Sequence, residues 1–143
     1  MNAIDPNPKV IEARYRILLI LWFAMGTSVL LFLVVLRLSA VAGVNNPRLS
    51  LALNSFGIAP VAISFLFKQR MLDRSVEKQR LDLVQSAYVL AFALSEISAL
   101  LGLMDYFLTG SDYYYLGFGF AGLGLLPHFP QKKHLLAAAY KEF

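Results

Sequence analysis

A lone carboxyl group, Glu96, stands near the centre of Leu83–Leu108, an apolar run of 26 residues. An acid in such a place has two chemical uses. It can bind and release a proton or a cation, or it can hydrogen-bond to a neighbouring helix. If the run lies in a bilayer, a bare charge there costs about 3 kcal/mol on insertion scales. The sequence therefore predicts the uncharged acid, turned away from lipid, unless a cation lies near. Residues expected at its depth are Thr27 and Ser28 in the first apolar run and Asn54 in the second. Glu96, Asn54, Thr27 and Ser28 form the candidate ion-binding group. The simpler alternative is a Glu96 that fixes helix register through hydrogen bonds worth about 0.6 kcal/mol each, because no second charged residue shares its depth.

Other candidate chemistry is sparse. Asp105 and Asp112 fall near one edge of the apolar region together with Arg37 and Arg48, where water weakens any pairing. His128 and His134 have no acidic motif nearby and read as surface residues. The chain has no cysteine, which excludes disulfides and thiolate metal sites. It has no phosphate-binding glycine loop, no zinc-protease histidine pair and no nucleophile elbow. The expectation is a protein that is not an enzyme and needs no metal or cofactor.

The elements that must hold these residues are apolar helices. Apolar residues make up 58% of the 143 and charged residues 15%, against about 25% charged in soluble domains. Ile17–Leu36 and Leu49–Phe67 are uncharged runs of 20 and 19 residues, and a hydrocarbon core of about 30 Å takes about 20 helical residues. A fourth run, Tyr113–Leu126, has 14 residues and crosses only if it borrows flanking residues up to the prolines Pro127 and Pro130. The runs are continuously apolar rather than alternating, so helices are expected and a barrel is not. The expected fold is all-α: a single four-span transmembrane bundle with spans at about 17–36, 49–67, 83–108 and 112–129. The loop at 68–82 joins spans two and three and reads as helix-like, with Met71, Leu72, Val76 and Leu83 near helical spacing among charges, and Lys78 and Asp82 are expected to pair at i,i+4. Arg14, Arg16 and the Ala40-Val41-Ala42 triplet imitate a cleavable leader, but the run is too long and Arg37 interrupts it, so retention is expected.

Eleven of the 13 basic residues flank the first tail, the 68–82 loop and the last tail; only Arg37 and Arg48 fall on the other side. Positive residues stay inside, which predicts cytoplasmic N- and C-termini and a surface that favours anionic lipid. Tyr106 and Tyr113–Tyr115 would form the outer aromatic belt.

The two halves look alike. Leu21-x-Phe23-Ala24-Met25 matches Leu90-x-Phe92-Ala93-Leu94, with Thr27 in the place of Glu96, and Phe56-Gly57-x-Ala59 matches Phe118-Gly119-x-Ala121. The offset changes from 69 to 62, and the pattern suggests two tandem helical hairpins. Small-residue faces supply the packing: Ser50, Asn54, Gly57 and Ser64 on span two; Ala91, Ser95, Ser98, Gly102 and Asp105 on span three; Gly117, Ala121 and Gly124 on span four. Pro60, beside Asn54, predicts a kink.

The stretch Gln85–Gly102, QSAYVLAFALSEISALLG, resembles the carboxylate helix of the rotary ATPase proteolipids, the c-ring subunits. Gln85, Ala93-Leu94-x-Glu96 and the small residues that follow carry the resemblance, which extends over about Leu49–Gly102 and includes a basic loop before the carboxylate. It implies a proton or sodium ion on Glu96. The dense alternating glycines of that family are missing from span two.

Together these features predict a small non-catalytic membrane protein, an accessory or structural subunit packing against partner helices or further copies of itself, with no nucleic-acid partner. A proteolipid-like proton- or sodium-binding protein is the alternative, and a lipid- or pigment-contacting protein a third reading.

Overall fold

Asn7 and Asn46 each stand immediately before a proline, and each caps a helix. Their side-chain carbonyls accept from the backbone N–H of Lys9 at 3.0 Å and Leu49 at 3.2 Å, while Pro8 and Pro47 take the first helical position, where no N–H is needed. The computed structural model describes residues 7–39, 43, 44 and 46–140. Its elements are α1 (Pro8–Leu38), α2 (Pro47–Glu77), α3 (Leu81–Thr109), α4 (Tyr114–Leu125) and α5 (Lys132–Tyr140). Ala40-Val41-Ala42 and Lys141 lie outside the described residues.

Helices α1, α2 and α3 are long and apolar enough to cross a membrane. At 1.5 Å per residue, α1 and α2 measure about 46 Å each, whereas the 12 residues of α4 measure about 18 Å. The fourth element is therefore shorter than an expected span. Its glycines and the following Pro127 stop the helix early, and the chain continues in turns to Gln131.

The connection at 68–82 is largely helix, as its helix-like spacing predicts. α2 runs uninterrupted through Pro60 and on to Glu77, and the chain reverses over three residues, with Gln79 at φ 50°. This reversal breaks the spacing expected for a Lys78–Asp82 pair, and Asp82 binds Arg80 at 2.5 Å instead. The opposite end of α3 stops at Gly110, whose φ of 58° is the left-handed cap that glycine adopts without penalty.

α3 is the hub. α2 packs antiparallel along one side of it and α4 along another, while α1 leans on it more lightly. α1 and α2 do not pack against each other, whereas α3 and α4 pack closely, so of the two tandem helical hairpins only the second is closed. The reason lies in the side chains: α1 offers bulky aliphatics and Gly26 with nothing around it, whereas α2 and α3 bring small residues face to face. Even so, the segments matched as a repeat lie side by side. α1 joins α3 through residues 68 and 67 apart, Ser28 to Glu96 and Ser39 to Tyr106. α2 joins the chain after α4 through Ser64 and His128, 64 apart. These separations stay close to the repeat offsets, so like segments run parallel at matching depth.

Polar ties hold α1 where apolar packing is thin. Trp22 Nε1 donates to the Leu125 carbonyl at 2.8 Å, Tyr106 donates to the Ser39 carbonyl at 2.9 Å and Arg14 donates to Gln85 at 3.2 Å. The exposed Lys132–Glu12 pair at 2.7 Å adds little, because water screens it.

Candidate functional site

Three polar groups occupy three depths of the bundle, and α3 contributes to each. Midway along it, Ser28 Oγ on α1 donates to Glu96 Oε1 at 2.5 Å. Glu96 is half-buried in the groove between α1 and α3. Of the partners expected for it, only Ser28 reaches it. Thr27 is exposed and donates to its own helix, to the Phe23 carbonyl at 2.8 Å. One residue is about 100° of rotation on a helix, enough to turn Thr27 out of the seam that Ser28 enters.

Asn54 belongs to another group. Its Nδ2 donates to Asp105 Oδ2 at 2.7 Å and to the Ser50 carbonyl at 2.9 Å. Ser50 Oγ reaches the same Oδ2 at 2.7 Å, and Thr109 Oγ1 reaches Oδ1 at 2.8 Å. Asp105 is 0% exposed, not a watery edge residue paired with Arg37 or Arg48. It is buried because α2 starts at Pro47 and α3 continues to Thr109, so both helices overreach the apolar runs there and close over the carboxyl. The one unsatisfied buried side-chain atom among the described residues is Asn54 Oδ1. Buried polar atoms are normally paired, so this oxygen is a small strain left inside an otherwise complete cluster.

Between these depths the helices meet on glycine and serine. Ser98 Oγ donates to the Gly57 carbonyl at 2.5 Å, and Ser95 Oγ bonds back to Ala91 at 2.8 Å. A Cβ on Gly117 would stand 2.7 Å from Gly102 Cα, and one on Gly102 would stand 2.8 Å from the Tyr114 carbonyl oxygen. Ala121 is fully buried, and Gly124 closes on Ser95. α3 and α4 are thus in backbone contact, as helices with small residues at the interface can be.

The third group was missed in the sequence. His128 is fully buried: its Nε2 lies 2.8 Å from Ser64 Oγ and its Nδ1 lies 3.4 Å from Lys68 Nζ. His134 Nδ1 lies 2.6 Å from the Tyr88 hydroxyl, and Lys68 Nζ stands 4.4 Å from the centre of the Tyr88 ring. Neither histidine is a surface residue in the expected sense. Burial, with the charges of Lys68 and Lys133 adding to it, pushes the His134 imidazole from the usual 6.5 down to about 4. His128 stands between Pro127 and Pro130 at the end of the expected fourth span with no acidic motif nearby, and only the Ser64 face of α2 hinted that something polar must meet it.

Among the described residues no cluster of three histidine, cysteine or acidic side chains could hold a metal ion. In comparisons with family models, curated proteins and solved structures, nothing matches this chain.

Proposed function

We propose that this chain is a non-catalytic integral membrane protein that packs against partner helices in a larger membrane assembly. In this reading α4 and the turns after it make a fourth crossing, and both ends face the cytoplasm. Support for the crossing comes from the course of the chain, which passes Gly102 at Gly117 and reaches Tyr88 at Gln131. That stretch of α3 rises about 21 Å. Basic residues at the shared end of the bundle support the orientation.

The observation that carries the assembly reading is how α4 divides its glycines. Gly117 and Gly124 face α3 at contact distance, but Gly119 and Gly122 have nothing within 4 Å of a built Cβ, and Gly26 on α1 is equally open. Glycine costs a helix up to about 1 kcal/mol relative to alanine, and toward lipid it gains no packing. A second helix backbone approaching this face would recover that cost. The chain has no cysteine, so single cysteines at Gly119, Gly122 and Gly26 report cleanly. Crosslinks to a defined neighbour from these sites, with none from lipid-facing Leu51, 66% exposed on α2, are the expected result. A crosslink-free monomer in native membranes overturns the reading.

A second reading rests on the Ser28–Glu96 hydrogen bond. A half-buried acid in a helix seam with a hydroxyl partner suits reversible binding of a proton or sodium ion. Carbodiimide modification of Glu96 that sodium or pH modulates supports it, and indifference to both removes it.

A further inference from the structure

At the end of the bundle that carries the α2–α3 turn, a cavity of about 400 Å³ opens between α2, the turns after α4, and α5. Its apolar wall includes Phe65 and Leu72, and its polar wall includes Lys68, Asp73, His128 and His134.

The proton positions in this wall follow from the hydrogen-bond network. Ser64 Oγ gives its proton to the Val61 carbonyl at 2.6 Å, so its oxygen is left to accept Nε2–H from His128 at 2.8 Å. That leaves His128 Nδ1 bare, facing the Lys68 ammonium at 3.4 Å. The Tyr88 hydroxyl accepts the Gln131 N–H at 3.0 Å and gives its own proton to His134 Nδ1 at 2.6 Å. The remaining ring proton of His134 is then on Nε2, and among the described residues no hydrogen bond takes it.

Lys68 is only partly exposed, and among the described residues it has no ion pair. The cavity wall therefore offers an ammonium whose acceptor is a neutral imidazole nitrogen, with no counter-ion, and an imidazole N–H that has no acceptor among the described residues. A cation drawn out of water without a counter-ion is unusual, and an anionic oxygen between these groups completes both. We propose that the cavity binds a phosphate group, that of a phospholipid head in the leaflet on the basic side.

Depth favours the lipid as the source. Lys68 follows directly on the apolar run Leu49–Phe67, which places its ammonium at the headgroup level. Phe65, on the same face of α2 and three residues deeper, would flank the first acyl carbons, and Leu72 closes the cavity on the side away from the membrane. Lys132 and Lys133, at the start of α5, raise the positive potential around the opening. Asp73 at the rim opposes a highly charged head and suits a single phosphodiester.

The test purifies the full chain in a maltoside detergent, which carries no phosphate. It compares phosphatidylglycerol with diacylglycerol of the same chains by native mass spectrometry and thermal unfolding. The wild type is expected to retain one phosphatidylglycerol and to gain thermal stability from it, and to ignore diacylglycerol. Lys68→Met is expected to weaken retention about ten-fold or more, Lys68→Arg to restore it, and Arg70→Ala with Arg74→Ala to leave it intact. If millimolar inorganic phosphate stabilises the protein by itself and displaces the lipid, the same site takes free phosphate. If it does neither, the lipid head is the occupant. Equal retention by Lys68→Met, or diacylglycerol binding as well as phosphatidylglycerol, overturns the proposal. Should Lys68→Met fail to fold, the wild-type comparison of the two lipids decides alone.

Discussion

Adding one methyl group at Gly117 and one at Gly119 should have opposite effects. A Cβ at Gly117 would stand 2.7 Å from Gly102 Cα, Gly102 N and the Ser98 carbonyl oxygen, all of them backbone. Carbon atoms rest about 3.5–4.0 Å apart, so α3 and α4 must separate by roughly 1 Å. No side chain can rotate away to absorb this. A gap of that size forfeits a quarter to a half of each dispersion contact along the seam, and overpacking of this kind costs about 1–3 kcal/mol. Gly119→Ala meets nothing within 4 Å and removes a helix-weakening residue worth up to about 1 kcal/mol. The gain is smaller in lipid, where the helix persists on both sides of the transition. Reversible unfolding in detergent–lipid bicelles measures both variants. The expected order of stability is Gly119→Ala at or above wild type, and Gly117→Ala below it by about 1–3 kcal/mol. Equal stability of the two variants would refute the backbone contact between α3 and α4.

Two further outcomes follow from the polar groups. Asn54→Ala removes one donor from Asp105 but also removes the unsatisfied Asn54 Oδ1, and Ser50 and Thr109 still serve the carboxyl; the expected loss is about 1 kcal/mol by bicelle unfolding, and a loss of several would mean the cluster acts as one unit. His134, faced by Tyr88 from α3, Lys68 from α2, buried His128 and its neighbour Lys133, has its imidazole lowered from 6.5 to about 4. The unfolded chain therefore takes up a proton that the fold refuses, so stability should fall as pH drops from about 6.5 toward about 4 and level off below. Thermal transitions across that range should depend less steeply on pH for His134→Gln than for the wild type, and a wild type that gains stability on acidification would contradict the assignment.

The long helices were legible because hydropathy alone marks them, and the small residues at i, i+3 and i+4 on the second and third runs mark faces that the structure buries. What could not be read was pairing. Asp105 sits three residues from the end of its apolar run, so its depth looked shallow. Only the overreach of α2 and α3 past those runs brings Ser50 and Asn54 level with it. Ser28 and Thr27 were equally good partners for Glu96 until the rotation of α1 was known. α5 was hidden for a different reason: Lys132–Tyr140 is short and polar at its start, and its helix depends on burying Leu135 and Ala138 against the bundle, a tertiary contact with no local signature.

The placement of α3 explains why so much polar chemistry survives in so apolar a chain. In hydrocarbon, helices gain little from burying one another's aliphatic surface, so close approach and hydrogen bonds must select the neighbours. α3 supplies both on different faces. Ser98, Gly102 and Asp105 bring α2 and α4 near, while Glu96 on a separate face receives α1. Because α1 has no small face of its own to offer, its position depends on hydroxyl, indole and tyrosyl contacts at its two ends and middle. Removing the Ser28–Glu96 bond should therefore loosen α1 while leaving the α2–α3–α4 core folded. Crosslinking between α1 and α3, read against global unfolding, separates those two effects.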